Sequence, residues 1–433
     1  MKNKIEKLII CMISLILVTS FSIGSLPMER IKREDEEFSY SISGLSTQDV
    51  FWPPNSGEWT EVAPETQGLN SSYIADMFDF IEVASYDIHS VIIVRNGYLL
   101  TEEYLQFSQI YTNIDGSKTY PGNETIHMQQ STTKSLMSIL IGIALQEGFI
   151  DNINQTLYEF FAHIWSPSFS FSEQKKDITI EQLLTMNAGL VGDGGFAYPS
   201  GGKTATQVDC IEWALKLPLT YTPGADLHLE YNSDGPNLLS GIISNVTGKS
   251  TEEFAQEYLF TPLGISEEEY YWHHDDKNMS FGGYGFDCSP KVQAKLGILA
   301  LNNGNWNGIQ MVDSDYMITA TTIKRFGVFN YGYLWWIVDS PFEGYSAVGA
   351  GGQCIYVIPE FDIVVGFTAQ NGGPYEQMII DYILKNVEVS ETEENPTPED
   401  QAAIPGFNLN MIFLMIFCTT AVLIMRRKKN FKN

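Results

Sequence analysis

Two Ser-x-x-Lys patterns occur in the 433-residue chain, Ser131-Thr132-Thr133-Lys134 and Ser172-Glu173-Gln174-Lys175. Residues three apart share a helix face, so either lysine amine could reach its serine hydroxyl. A serine placed in this way becomes a nucleophile for acyl transfer when a neutral amine takes its proton. The sequences that follow separate the two patterns. Lys134 leads into Ser135 to Leu145, a run that is apolar nearly all round a helix and ends near Gly148, which predicts a buried helix. Burial penalises the ammonium form and favours a base. Ser131 is expected at the N-terminus of that helix, where free backbone N–H groups and the helix dipole favour developing negative charge. Ser172 lies in a polar stretch with Lys175, Lys176 and Asp177, which predicts a solvated, charged lysine. The competing reading of Ser131 is an N-cap serine followed by a lysine without a role. A lysine entering a buried helix needs a reason, and this favours the catalytic reading.

Other constellations carry less. Neither a G-x-S-x-G elbow nor an H-E-x-x-H pair occurs. His273-His274-Asp275-Asp276 could offer metal ligands, but neighbouring side chains point in different directions, and the segment reads as a solvated acidic loop. Gly349, Gly351 and Gly352 lack the spacing of a nucleotide-binding loop and read equally as a tight turn. Tyr231 taken alone reads as a core tyrosine, and Trp335 and Trp336 read as core tryptophans, with lining of the cleft as the alternative. Neither a metal nor a cofactor is expected.

The elements that must hold these residues alternate between about 60 and 386. Val91 to Val94, Asn96-Gly97 and Tyr98 to Leu100 read as a hairpin with an Asn-Gly turn. Cys354 to Ile358, Pro359-Glu360 and Ile363 to Thr368 read as a second strand pair. Strands at both ends of a long helical middle predict an α/β (α+β) sandwich, whose first and last segments share one antiparallel sheet beside a mostly helical subdomain.

The flanks point to export. Lys2, Lys4 and Lys7 precede an apolar run from Leu8 to Val18 and then small residues, the layout of a signal peptide over 1–25. An uncleaved N-terminal anchor is the alternative. Residues 26–59 read as a lead-in and 387–408 as an acidic, Pro-containing spacer. Leu409 to Met425 carries no charge, which is just enough helix to span a membrane, and Arg426, Arg427, Lys428 and Lys429 follow in a basic tail over 426–433. The basic cluster belongs on the cytoplasmic side, which puts the domain outside the cell membrane.

The formal charge is −28, from 25 basic and 53 acidic residues. Without 1–25 and 409–433, 8 basic residues and 1 acidic one drop out, leaving 17 against 52, or −35. Such a surface repels nucleic acid, which is not expected as a partner. Cys210, Cys288 and Cys354 in the outer part allow at most one disulfide.

With these residues in place, the chain resembles the serine β-lactamase-related family, which includes class C β-lactamases, D-alanyl-D-alanine carboxypeptidases, related esterases and 6-aminohexanoate-dimer hydrolases. The resemblance runs over 60–386. Its motifs, in order, are Val94-Arg95-Asn96-Gly97-Tyr98, Ser131-Thr132-Thr133-Lys134-Ser135, Ile180 to Met186 with Gly189-Leu190, and Tyr231-Asn232-Ser233. Pro262-Leu263-Gly264-Ile265, Tyr331 to Trp336, and Gly349-Ala350-Gly351-Gly352-Gln353 follow. Within that family the motifs look similar to those of the 6-aminohexanoate-dimer hydrolase branch. The resemblance implies that Ser131 is the acylated nucleophile and Lys134 its general base. It implies that Tyr231 relays a proton to the leaving group, and that the backbone N–H groups of Ser131 and Gln353 form the oxyanion hole.

Asn232, Ser233, Gly351 and Gly352 are the expected substrate-binding positions. Two departures stand out. Ser233 occupies the place of the Y-x-N asparagine, with asparagine at 232 instead. Ala350 replaces the lysine or histidine that opens the third motif, which removes a cation for a substrate carboxylate. Pro405-Gly406-Phe407, the apolar span and the basic cluster resemble archaeal sorting signals that lead to exchange of the tail for a lipid; a plain anchor is the alternative.

The expected activity is hydrolysis of a small-molecule or peptide-like amide or ester through an acyl-enzyme. The alternative is a catalytically inactive surface binding protein on the same fold.

Overall fold

In a computed structural model of the chain, the described residues are 51–55, 58–105, 111–112, 118–119, 126–170, 172–192, 209–225, 229–325 and 330–387. The expected leader, apolar span and basic tail lie outside them. Among the described residues no helix is long and apolar enough to cross a membrane.

The chain passes through helix α1 (Ser71–Ala84) into strands β1 (Ile88–Arg95) and β2 (Tyr98–Tyr104). Asn96 and Gly97 turn this hairpin with φ of 52° and 81°, the left-handed pair that a two-residue turn needs, and Arg95 pairs with Tyr98. The short β3 (His127–Met128) leads into α2 (Thr132–Gln146). A helical middle follows, including α3 (Ser172–Lys176), α4 (Cys210–Lys216) and α5 (Asp234–Thr247). Strands β4 (Tyr270–Trp272) and β5 (Phe286–Cys288) join β3 in a small sheet of order β3-β5-β4.

Helix α6 (Pro290–Leu301) precedes the last strands, β6 (Asn330–Tyr331), β7 (Trp336–Val338), β8 (Gly344–Gly349), β9 (Gln353–Ile358) and β10 (Ile363–Ala369). With the first hairpin they form one seven-stranded sheet, in the order β6-β7-β8-β9-β10-β1-β2. Every pairing is antiparallel, and β10 pairs with β1. The first and last strands therefore do share one sheet, because β1 is apolar on both faces and must be covered on both edges and both sides.

The period-2 alternation sorts side chains to two cores. Ile92, Val94, Ile355, Val357 and Val364 face the core that contains α2, α5 and α6. Val91, Ile93, Tyr356, Val365 and Phe367 face the other, closed by α1 and the helical segment 375–386. Helix α2 lies inside the first core, and every residue from Thr132 to Ala144 is buried.

The packed domain reaches upstream of residue 60. Phe51 stacks on Tyr98 with ring centroids 4.3 Å apart, Trp52 meets Trp306 edge-on at 5.4 Å, and Trp59 is buried. Cys210, Cys288 and Cys354 are three separate buried thiols.

Candidate active site

Strand β3 delivers the chain to α2 through Gln130, which holds a left-handed φ of 51°. A non-glycine residue in that region is strained, and the strain sits one residue before Ser131. Ser131 takes the N-cap position of α2, yet its side chain makes no capping hydrogen bond. The hydroxyl instead lies 3.0 Å from Lys134 Nζ on the first turn of the helix. A serine present only to cap the helix would turn its oxygen to the backbone N–H groups, so the capping reading loses its support.

Lys134 is 1% exposed. Its Nζ donates to the Gly283 carbonyl at 2.6 Å and lies 3.0 Å from Ser233 Oγ and 4.7 Å from the Tyr231 ring centroid. The carbonyl can only accept, whereas a hydroxyl can donate or accept. A neutral amine that donates to Gly283 and Ser233 keeps its lone pair for the Ser131 hydroxyl. That arrangement can draw a proton from Ser131 as its oxygen attacks a carbonyl carbon.

Two residues that sequence reasoning passed over hold the lysine in place. Asn237, one turn into α5 from Ser233, accepts hydrogen bonds from the Gly282 and Gly283 amides at 2.9 and 3.1 Å. This anchors the Gly282–Gly283 segment from which the Gly283 carbonyl reaches Lys134. Gly283 must be glycine for this approach, since a Cβ there would lie 2.3 Å from the Ser233 carbonyl oxygen. A buried asparagine at i+4 from Ser233 and a Gly-Gly pair were the available signals.

Of the Tyr231-Asn232-Ser233 trio, Ser233 faces the lysine. Asn232 is buried, but its amide is occupied by the loop: it donates to the Glu230 carbonyl at 2.8 Å and accepts from the Gly235 amide at 2.7 Å. Tyr231 is half-buried, stacks on Trp336 with centroids 5.5 Å apart and meets Tyr331 edge-on. Trp335 and Trp336 part company here: Trp335 is core, whereas Trp336 is only partly buried and forms an aromatic wall with Tyr231. Burial and the neighbouring Tyr231 push the Tyr331 phenol well above its ordinary value. Tyr331 therefore stays protonated and packs rather than titrates.

The β8–β9 hairpin closes the site. Gly349 lies so near the two residues before Ser131 that a Cβ would meet the Gln129 carbonyl oxygen at 2.3 Å and the Gln130 Cβ at 3.1 Å. The turn ends with the Gly352 amide donating to the Gly349 carbonyl at 3.2 Å. Gly351 and Gly352 both hold positive φ, 82° and 96°, and Ala350 and Gly351 are exposed. Gln353 starts β9, and its side-chain amide pairs with both backbone groups of Ala369 on β10. Only its backbone is left to act in the cleft.

The second Ser-x-x-Lys pattern corrects an expectation. Lys175 is fully buried, not solvated, and burial pushes its amine down to about 8. Its Nζ donates to the carbonyls of Leu215, at 2.6 Å, and Leu217 at the C-terminal end of α4. Those carbonyls have no intrahelical partner, and a cation is favoured there. Ser172 accepts instead from the Trp165 indole N–H at 2.9 Å. Burial is therefore common to both lysines, and what separates them is which oxygens surround the amine.

The acidic loop is also corrected in part. His273 lies 3.0 Å from Asp287, and His274 2.8 Å from Glu252, while Asp275 accepts from the amides of Cys210, Lys277 and Met279. The side chains diverge as expected, but His273 and Asp275 are buried rather than solvated. Among the described residues no group of three or more His, Cys, Asp or Glu side chains could hold a metal ion.

The family model described as Beta-lactamase matches residues 84–278, a span that includes Ser131, Lys134 and Tyr231. The 6-aminohexanoate-dimer hydrolase of Paenarthrobacter ureafaciens is 20% identical over an alignment of 255 residues that covers 55% of this chain. The chain spans 64% of that relative's length. A solved Bacillus anthracis protein, provisionally named a 6-aminohexanoate-dimer hydrolase, superposes with a TM-score of 0.59 at 18% identity, covering 78% of this chain and 90% of its own. A penicillin-binding protein homologue from Caulobacter crescentus gives 0.57 at 14%, covering 76% and 100%. At such identities the structural likenesses show the fold, a β-lactamase/transpeptidase-like sheet flanked by helices. The family-model match, over less than half of the chain, and the ordered motifs add a similarity to beta-lactamase-related serine hydrolases.

Proposed function

We propose that the chain hydrolyses a small-molecule or peptide-like amide or ester through an acyl-enzyme on Ser131. The observation that carries this reading is the buried Lys134 amine, 3.0 Å from the Ser131 hydroxyl and anchored from behind by the Gly283 carbonyl. Lys134 takes the serine proton as the oxygen attacks. Tyr231, beside the lysine, returns a proton to the leaving group. The backbone N–H groups of Ser131 and Gln353 receive the negative charge on the carbonyl oxygen, which is the largest single contribution such sites make. Water then repeats the attack on the acyl-enzyme with the same groups.

Substrate character follows from the walls of the cleft. Ala350 presents a methyl group where a cation would hold a carboxylate, and Tyr231 with Trp336 offers an apolar face. Substrates without a carboxylate on the leaving-group side of the scissile bond fit this cleft best, which disfavours β-lactams and D-Ala-D-Ala peptides. The leader and the C-terminal span support a domain held outside the cell membrane.

The test is turnover by the exported domain of a panel of chromogenic esters, D-amino-acid amides and a β-lactam, beside a Ser131→Ala variant. Ester or amide turnover that Ser131→Ala lowers at least about a thousandfold is expected. Equal rates in both proteins would overturn the assignment of Ser131. A folded wild-type domain that binds these ligands and turns none over would favour the binding-protein alternative.

A further inference from the structure

Tyr375 stands at the start of the helical segment 375–386, on the far side of the β8–β9 turn from Ser131, and no step above uses it. Its hydroxyl donates to the Gly352 carbonyl at 2.9 Å and is itself hydrogen-bonded by the Gly373 backbone. Its ring is buried and stacks on Phe367 with centroids 4.3 Å apart, so the hydroxyl is held by a rigid platform.

The carbonyl of Gly352 and the N–H of Gln353 belong to one peptide unit. That unit is planar and trans, so the two groups point in opposite directions. Fixing the carbonyl on Tyr375 therefore fixes the Gln353 N–H toward the opposite side of the turn, where Gly349 abuts Gln129 and Gln130 just before Ser131. The neighbouring residues would not hold this peptide by themselves. Gly351 and Gly352 both occupy positive φ and lack side chains, which leaves the peptide free to rotate. Gly352 has no room for a side chain either: a Cβ would lie 2.4 Å from Gly372 Cα and 2.5 Å from the Tyr375 hydroxyl. The Gln353 side chain anchors its own residue to β10, so the peptide is pinned at one end by Ala369 and at the other by Tyr375.

We infer that Tyr375 is a positioning residue that aims the Gln353 N–H into the oxyanion hole, an inference that rests on the acyl-transfer reading of Ser131. It touches no substrate, and its effect is confined to the transition state, where the N–H meets the developing oxyanion. Removing one donor from such a hole lowers kcat by about 10²–10³, and loosening its aim should lower it by roughly tenfold or more.

The experiment is steady-state hydrolysis of a p-nitrophenyl ester by wild type, Ser131→Ala and Tyr375→Phe, with melting temperatures taken in parallel. Phenylalanine keeps the ring stack and removes only the hydroxyl. The expected result is a kcat about tenfold or more below wild type, KM within about twofold, and a melting temperature within a few degrees. A purely structural role would lower the melting temperature and leave kcat of the folded fraction unchanged, and that outcome overturns the inference. Ser131-dependent turnover that Tyr375→Phe leaves intact overturns the inference alone. Turnover that does not depend on Ser131 overturns the acyl-transfer reading and this inference with it. A second measurement needs no variant: in a crystal structure of wild type reacted with a fluorophosphonate, the Gln353 N–H should meet the phosphonyl oxygen while Gly352 remains on Tyr375. A Gln353 N–H turned away from that oxygen contradicts it.

Discussion

The chemistry of this site depends on which oxygens crowd around one nitrogen. Lys134 and Lys175 are both buried amines in Ser-x-x-Lys patterns, but Lys134 meets a serine hydroxyl and Lys175 meets two helix-end carbonyls. Spacing along the sequence brought Ser131 and Lys134 onto one helical turn, and that much was legible from the i, i+3 rule. The surroundings of Lys175 were not, since Leu215 stands 40 positions away and belongs to another helix. Asn237 and Gly283 escaped for the same reason, their contact linking segments 46 positions apart. Gly283 is also the sharpest place to disturb the lysine without removing it. A Gly283→Ala substitution puts a Cβ within 2.3 Å of the Ser233 carbonyl oxygen, so the loop must shift by a large fraction of an ångström. An ester kcat down by about tenfold to a hundredfold is expected, in a protein with an unchanged far-UV circular dichroism spectrum. Wild-type kcat in that variant would mean that the Gly283 carbonyl does not position Lys134.

At the level of elements, the strands were the easier reading. Asn96-Gly97 and Pro359-Glu360 announce their turns, and the apolar runs beside them can only be strands buried on both faces. The short helix α3 was harder, because its polar composition hid a lysine that reaches beneath α4. Lys175 gives this region a pH dependence with a definite sign. Its amine is depressed from 10.5 to about 8 in the folded protein, so the unfolded chain binds more protons between those values. Stability then rises with pH through that window and is lost as pH falls through about 8. The two carbonyls remain paired throughout, since a neutral amine still carries two N–H groups. Chemical denaturation of wild type and Lys175→Met at pH 7.5 and pH 10 tests this. The stability of wild type relative to the variant should increase with pH, by up to about 3 kcal/mol across the full shift. A difference that stays flat or falls between the two pH values would show that the buried amine remains charged.

The whole molecule joins a seven-stranded antiparallel sheet and two cores to flanks whose sequence predicts a leader and an apolar span. The order of strands around the helical middle carried the fold, since β1 has no edge to spare and needs β10 beside it. Where the packed domain begins was less legible: Phe51, Trp52 and Trp59 look like part of a lead-in until the tertiary structure gives them Tyr98 and Trp306 as partners. If the apolar segment 409–425 tethers the domain, full-length protein should sediment with membranes and the domain should yield to external protease at the 387–408 spacer. Soluble full-length protein would count against the tether. The central claim is narrower than any of this and rests on Ser131. It is tested most directly by incubating the domain with a fluorophosphonate and mapping the adduct by mass spectrometry, in wild type and in Lys134→Ala. One adduct on Ser131, formed at least about a hundredfold more slowly without Lys134, is the predicted result. No adduct on Ser131 in the folded wild-type domain, or an equal rate without Lys134, would contradict it.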